Sequence, residues 1–203
     1  INNYTLNKKT LYVRDEKATS TKIVISYPID IKIGNKYGLY LPFLNNLLTG
    51  GLNSILLKRL RLELNLVYGI RSTHETNLCG TVVNIETSTD NNNVKKVIKE
   101  IFRLINYYIK EVIPKRSIEE QKINYRLNLT KMCKNNPSTL SVFYKHQYFW
   151  QLHKKNRKIY TFSEVENNIL ALNSQKLKKL MKMIFDPSKC LVAYMGKKKF
   201  SNI

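Results

Sequence analysis

The side chains best suited to acid–base work near neutral pH are three histidines, His74, His146 and His153. No two are four residues apart, so no HxxxH pair shares a helical face, and both HExxH and HxxEH are absent. His146 and His153 are seven apart and fit one face of an aromatic helix, with no acidic neighbour to complete a metal site. His74 precedes Glu75 near a strand end and reads as surface. No serine lies in GxSxG, and there is neither a P-loop nor a GxGxxG turn. Cys79, Cys133 and Cys190 are odd in number, far apart and form no CxxC. They read as buried or inert thiols of a reducing intracellular compartment rather than as disulfide partners or zinc ligands. Isolated motifs therefore give this chain no catalytic centre of its own and no metal.

Composition bounds what the rest can be. The chain has 203 residues, 43% apolar and 24% charged, which excludes a disordered tail, a collagen-like fibre and a disulfide scaffold. The net charge of +21 comes from 27 lysines and only 8 arginines, beside 23 asparagines and 20 isoleucines. Lys, Asn and Ile share A/T-rich codons, whereas a selected phosphate-binding surface favours Arg. The charge thus predicts salt-sensitive, nonspecific sticking to nucleic acid. Residues 37–57 carry no charge, but Pro42, Asn45, Asn46, Gly50, Gly51 and Asn53 interrupt them, so no membrane span is expected. The chain opens on Ile1 without a signal-peptide pattern, which suggests a processed product or a piece of something longer.

The elements follow from periodicity. Thr10–Arg14 and Lys22–Tyr27 read as strands, with Pro28 ending the second. Leu39–Leu48 reads as a buried helix, Gly50-Gly51 as a turn, and a second helix runs from Asn53 or Ser54 to about Leu64. Leu66–Thr73 and Thr81–Thr87 form a second strand pair joined by a hairpin near Thr76, Asn77 and Gly80. Val94, Val97, Ile98, Ile101 and Ile105 mark the clearest helix. Ser117–Glu120 and Ser163–Glu166 read as capping boxes. Asn136-Pro137 restarts a helix, Asn173 or Ser174 opens the last one, and Leu191–Met195 is a closing strand. Paired strands between runs of helices predict an α+β fold, a two-layer arrangement of a mainly antiparallel sheet packed against helices. One domain over 1–203 is expected, with its core at about 8–197 and a basic tail at 198–203.

The stretch Leu48–Ser72, LTGGLNSILLKRLRLELNLVYGIRS, resembles the insulinase/pitrilysin family of zinc metallopeptidases, which includes mitochondrial processing peptidase. It is similar to the C-terminal, inactive-type domain, where a Gly-Gly turn and a Ser-containing helix start lead into Leu-Arg-Glu…Gly-Leu-x-Tyr. Leu60-Arg61 and Tyr68 keep that seven-residue spacing. The order of the other elements agrees, including the acidic helix start at Ser117–Glu120 and the Phe185-Asp-Pro187 close. Two departures stand out: Asn65 replaces a family glycine, and the zinc motif is missing. Asparagine tolerates a left-handed backbone better than most residues, so the turn is expected to survive.

The resemblance implies a half-shell that closes over a peptide or protein substrate. An N-terminal domain or partner subunit carries HxxEH and zinc, and a zinc-polarised water attacks the peptide carbonyl. Tyr68 then donates to the oxyanion and Arg61 holds the substrate backbone. Such a donor is worth on the order of 3 kcal/mol of barrier. On residue type alone, Arg61 in Lys58-Arg59-x-Arg61 is a solvated helix face, and Tyr68 is the core or rim residue that opens an apolar strand. The chain alone is expected to hydrolyse nothing. The rival readings are a scaffold subunit that kept the fold and lost proteolysis, and a basic nucleic-acid-binding module with interleaved aromatics in Tyr144–Tyr160.

Overall fold

The computed structural model describes residues 10–31, 35–77, 79–153 and 158–200. Five strands form one sheet: β1 (Thr10–Arg14), β2 (Thr21–Ile29), β3 (Ile70–Thr76), β4 (Thr81–Thr89) and β5 (Leu191–Gly196). Their spatial order is β1-β5-β2-β4-β3, with only the β1–β5 pair parallel. The fold is therefore the α+β, mainly antiparallel arrangement that the pairing of strands predicts.

Alternation along the strands decides which face is covered. Ile23, Ile25 and Tyr27 of β2, Val83 and Ile85 of β4, and Val192 and Tyr194 of β5 are buried on one face. The helices pack there: α1 (Leu41–Thr49), α3 (Val94–Lys110) and α7 (Ser174–Ile184) each bury an apolar stripe. The intervening residues, among them Lys22, Val24, Arg71, Glu86 and Ser88, stand on a face that no described helix covers. The remaining helices are α2 (Ile55–Leu57), α4 (Lys115–Asn135), α5 (Pro137–His153) and α6 (Phe162–Leu170).

Local signals misplaced several boundaries. Pro28 does not end β2: it lies opposite Val82, and β5 pairs with β2 only over Lys22–Ser26. There β2 is locally an edge, where a missing N–H is tolerated. Helix α4 begins at Lys115 with no side-chain cap, so Ser117–Glu120 is not a capping box. The second box is real but lies two residues earlier: the Glu164 N–H donates to Thr161 Oγ1 and the Glu164 carboxylate accepts from the Thr161 N–H. Asn173 caps α7 by accepting from the Lys176 N–H at 2.9 Å.

Candidate functional site

The Gly-Gly turn positions the segment that follows it. Gly51 has φ +119°, where a side chain is strained. A Cβ on Gly50 would come within 2.6 Å of the Asn46 backbone. Ser54 Oγ donates to the Gly51 carbonyl at 2.6 Å and fixes the entry to α2.

Helix α2 continues directly as a π-helix over Lys58–Glu63. This wide winding is rare and concentrates at functional sites. Leu60 is fully buried and anchors it. The exit is tied back twice, as the Leu64 N–H donates to the Arg59 carbonyl at 3.1 Å and the Leu66 N–H to the Leu60 carbonyl at 2.8 Å. Between them Asn65 takes φ 47°, the one positive value at a non-glycine among the described residues. The left-handed turn thus survives the glycine-to-asparagine departure.

Beyond the turn the backbone is clamped. Leu66 and Val67 are buried. Thr89 Oγ1 donates to the Leu66 carbonyl and Thr87 Oγ1 to the Gly69 carbonyl, each at 2.6 Å. Tyr68 lies between these clamps with its side chain 85% exposed. It precedes β3, which begins at Ile70, and is therefore neither core nor the first residue of a strand. A fixed backbone carrying an exposed ring is the geometry of a presented side chain. Thr87 and Thr89 are the residues that sequence reasoning missed. The available signal was hydroxyls on the strand face that also carries Val83 and Ile85, where only a hidden acceptor makes them acceptable.

Arg61 comes to Tyr68 across this loop, its guanidinium carbon 5.1 Å from the ring centroid. Arg59, two residues earlier, is neutralised. It reaches Glu63 and Glu100 at 2.8 Å each, and Arg103 also grips Glu100 at 2.7 Å. Arg103 and then Arg59 hold the Glu100 carboxyl down at about 2. Among the described residues Arg61 forms no ion pair, and its recorded contact is the tyrosine face. The two arginines thus differ: Arg59 is tied into a structural network, and Arg61 leans on an exposed ring.

Tyr68 stands where two clefts meet. One, of about 540 Å³, is lined by Arg61, Asn65, Tyr68, Ser88 and Asp90. The other, of about 510 Å³, runs onto the open sheet face past Lys22, Tyr68, Arg71 and Glu86. Together they form a trough, more polar along the first cleft and mostly apolar along the second, where Ile23, Val24 and Ile70 join the lining, with the Tyr68 phenol at the junction and Arg61 in the first cleft. Such a trough can hold an extended chain and direct donors at a carbonyl.

The histidines form no such site. His74 is not a free surface group, since Asn45 Nδ2 lies 2.8 Å from its Nδ1, and Asn45 Oδ1 accepts from Ser72 Oγ at 2.8 Å. The Ser72 N–H in turn donates to Thr49 Oγ1 at 2.9 Å. This polar seam joins α1 to β3, and burial lowers the His74 pKa. The side chains of His146, His153 and Cys133 lie outside the described residues. Cys79 is exposed, and Cys190 is buried with its Sγ donating to the Pro187 carbonyl at 3.4 Å. Among the described residues no group of three or more His, Cys, Asp or Glu side chains could hold a metal ion.

The family model described as the peptidase M16 inactive domain matches residues 2–125. No curated protein matches the chain. Solved structures do. A protease from Helicobacter pylori is 17% identical with a TM-score of 0.79, covering 92% of this chain and 43% of its own. A peptidase M16 inactive domain from Pseudomonas fluorescens is 14% identical with a TM-score of 0.76, covering 96% and 45%. A chain of Complex III2 from Candida albicans is 12% identical with a TM-score of 0.74, covering 93% and 45%. The chain spans less than half the length of each of these proteins.

Proposed function

The chain belongs to the M16, insulinase-type, peptidase family as its inactive domain, and on that premise we propose that it is the substrate-holding, non-zinc half of a zinc metallopeptidase. The observation that carries this reading is the Arg61–Tyr68 pair, a cation with no ion pair among the described residues, stacked on an exposed ring whose backbone is pinned on both sides. Among the described residues no group of His, Cys, Asp and Glu side chains is placed to hold a metal ion. Zinc, and with it the hydrolytic water, is assigned to an N-terminal domain or a separate subunit of the same family.

In this scheme a peptide lies extended in the trough beside Tyr68. The Tyr68 hydroxyl donates to the carbonyl oxygen as negative charge develops on it. Arg61 donates to a neighbouring backbone carbonyl and leans on the ring, so each side chain limits the freedom of the other. Pinning the backbone through Thr87 and Thr89 lowers the reorganisation that the donor needs at the moment of reaction.

The test is kinetic. In the assembled enzyme, Tyr68→Phe lowers kcat by on the order of 100-fold with KM little changed, because the bond forms in the transition state. Arg61→Ala mainly raises KM. Unchanged kcat in Tyr68→Phe would refute the oxyanion role and favour the scaffold reading.

A further inference from the structure

The positive charge of this chain is not spread evenly. Helices α3 and α7 contain 17 and 11 residues and carry nine cations, eight of them lysine, against one carboxylate, Glu100. More than a third of the net +21 therefore sits on about a seventh of the chain. Codon bias raises lysine throughout a sequence and does not account for this concentration.

The two helices form one surface. The first turn of α7 abuts the end of α3, where Ser174 Oγ accepts from the Ile113 N–H at 2.9 Å and Lys178 Nζ donates to the Lys110 carbonyl. Their apolar stripes turn inward, with Val97, Ile101 and Leu104 on α3 and Leu177, Leu180 and Ile184 on α7. Lys95, Lys96, Lys99, Lys179 and Lys182 consequently stand exposed on the outer side, and none forms an ion pair among the described residues. Glu100 offers them no relief, because Arg59 and Arg103 already hold it. The acids that border the surface, Asp90, Glu111 and Asp186, precede or follow the helices, and Asp186 faces Lys189 at 4.0 Å.

We propose that this α3/α7 face docks the protein on an anionic lipid surface. The chemistry of the face favours lipid headgroups over nucleic acid. The free cations are all lysines, which act as point charges, whereas the one arginine of the two helices is committed to Glu100. Met183 is partly exposed beside Lys182 and adds an apolar contact. Among the described residues no helix is long and apolar enough to cross a membrane, so the association is peripheral. The lysine face lies on the helix layer, across the sheet from the uncovered strand face that carries Lys22 and Arg71. Docking therefore leaves the trough beside Tyr68 accessible, and the proposal does not depend on the proteolytic reading.

Sedimentation with vesicles tests it, using phosphatidylcholine alone against phosphatidylcholine with about one-third phosphatidylserine at about 0.1 M salt. The expected result is binding to the anionic vesicles only. The variant Lys95→Glu/Lys179→Glu/Lys182→Glu should bind at least about 100-fold more weakly, from three lysines at about 1 kcal/mol each. Lys17→Glu/Lys36→Glu/Lys58→Glu makes the same change in net charge elsewhere and should lose less than about fivefold. Equal loss in both variants, or no binding to anionic vesicles, would overturn the proposal. So would tighter binding to single-stranded RNA than to vesicles at the same salt.

Discussion

Substituting Asn65 by glycine, alanine and valine measures what the turn behind Tyr68 demands of its residue. At φ 47° the backbone is left-handed, a conformation that costs an ordinary L-residue roughly 1–2 kcal/mol and asparagine less. Alanine should therefore destabilise the chain by about 1 kcal/mol. A β-branched valine, a true outlier at this angle, should cost about 2 kcal/mol. Glycine relieves the backbone but gains freedom in the unfolded chain, worth about 0.4–1 kcal/mol in the opposite sense, so it should fall within about 0.5 kcal/mol of wild type. In a domain of this size 1 kcal/mol moves Tm by about 2–4 °C. Urea unfolding should give the order glycine and asparagine, then alanine, then valine, with an unchanged m-value. Alanine as stable as wild type, or glycine as damaging as alanine, would refute the reasoning. Either would mean that Asn65 is kept for its side chain or that the turn is not left-handed in solution.

The remaining predictions concern the groups around that turn. Thr89→Val leaves the Leu66 carbonyl without its donor, and should cost about 1–3 kcal/mol by urea unfolding while Thr89→Ser retains most of the stability. The Glu100 carboxyl, held at about 2, binds fewer protons in the folded than in the unfolded chain. Its contribution is full above about 4.5 and lost as pH falls toward about 2, so the stability gap between wild type and Glu100→Gln should narrow from pH 5 to pH 3. His74 has its pKa lowered by burial, so its contribution is complete above 6.5 and lost as pH falls through the lowered value. Unfolding between pH 7.5 and pH 5 should show a decline that is reduced in His74→Gln, and a profile identical to wild type would mean that the ring is not held neutral.

The fold was largely legible from local pattern. Strand alternation and the apolar stripe of α3 are printed in residue order, and burying those faces leaves few arrangements other than helices on one side of a sheet. The spacing of Leu60-Arg61 to Tyr68 and the tolerance of Asn65 for a left-handed backbone were legible too, because a turn is decided by the few residues that compose it. The boundaries at Pro28 and Thr161 were not. One depends on where β5 stops beside β2, and the other on which of two nearby hydroxyls meets the amide of the first turn.

Partner choice belonged to the tertiary structure alone. Arg59 and Arg61 are chemically identical and two residues apart, yet one reaches Glu100, 41 residues away, while the other stacks on Tyr68. His74 looked like a surface residue until Asn45 of α1 packed across it, 29 residues away in sequence. Residue type and period fix what a segment can form, since backbone sterics and burial act over a few residues. What a charge or hydroxyl then meets depends on contacts between distant segments, and these exist only once the chain has closed on itself.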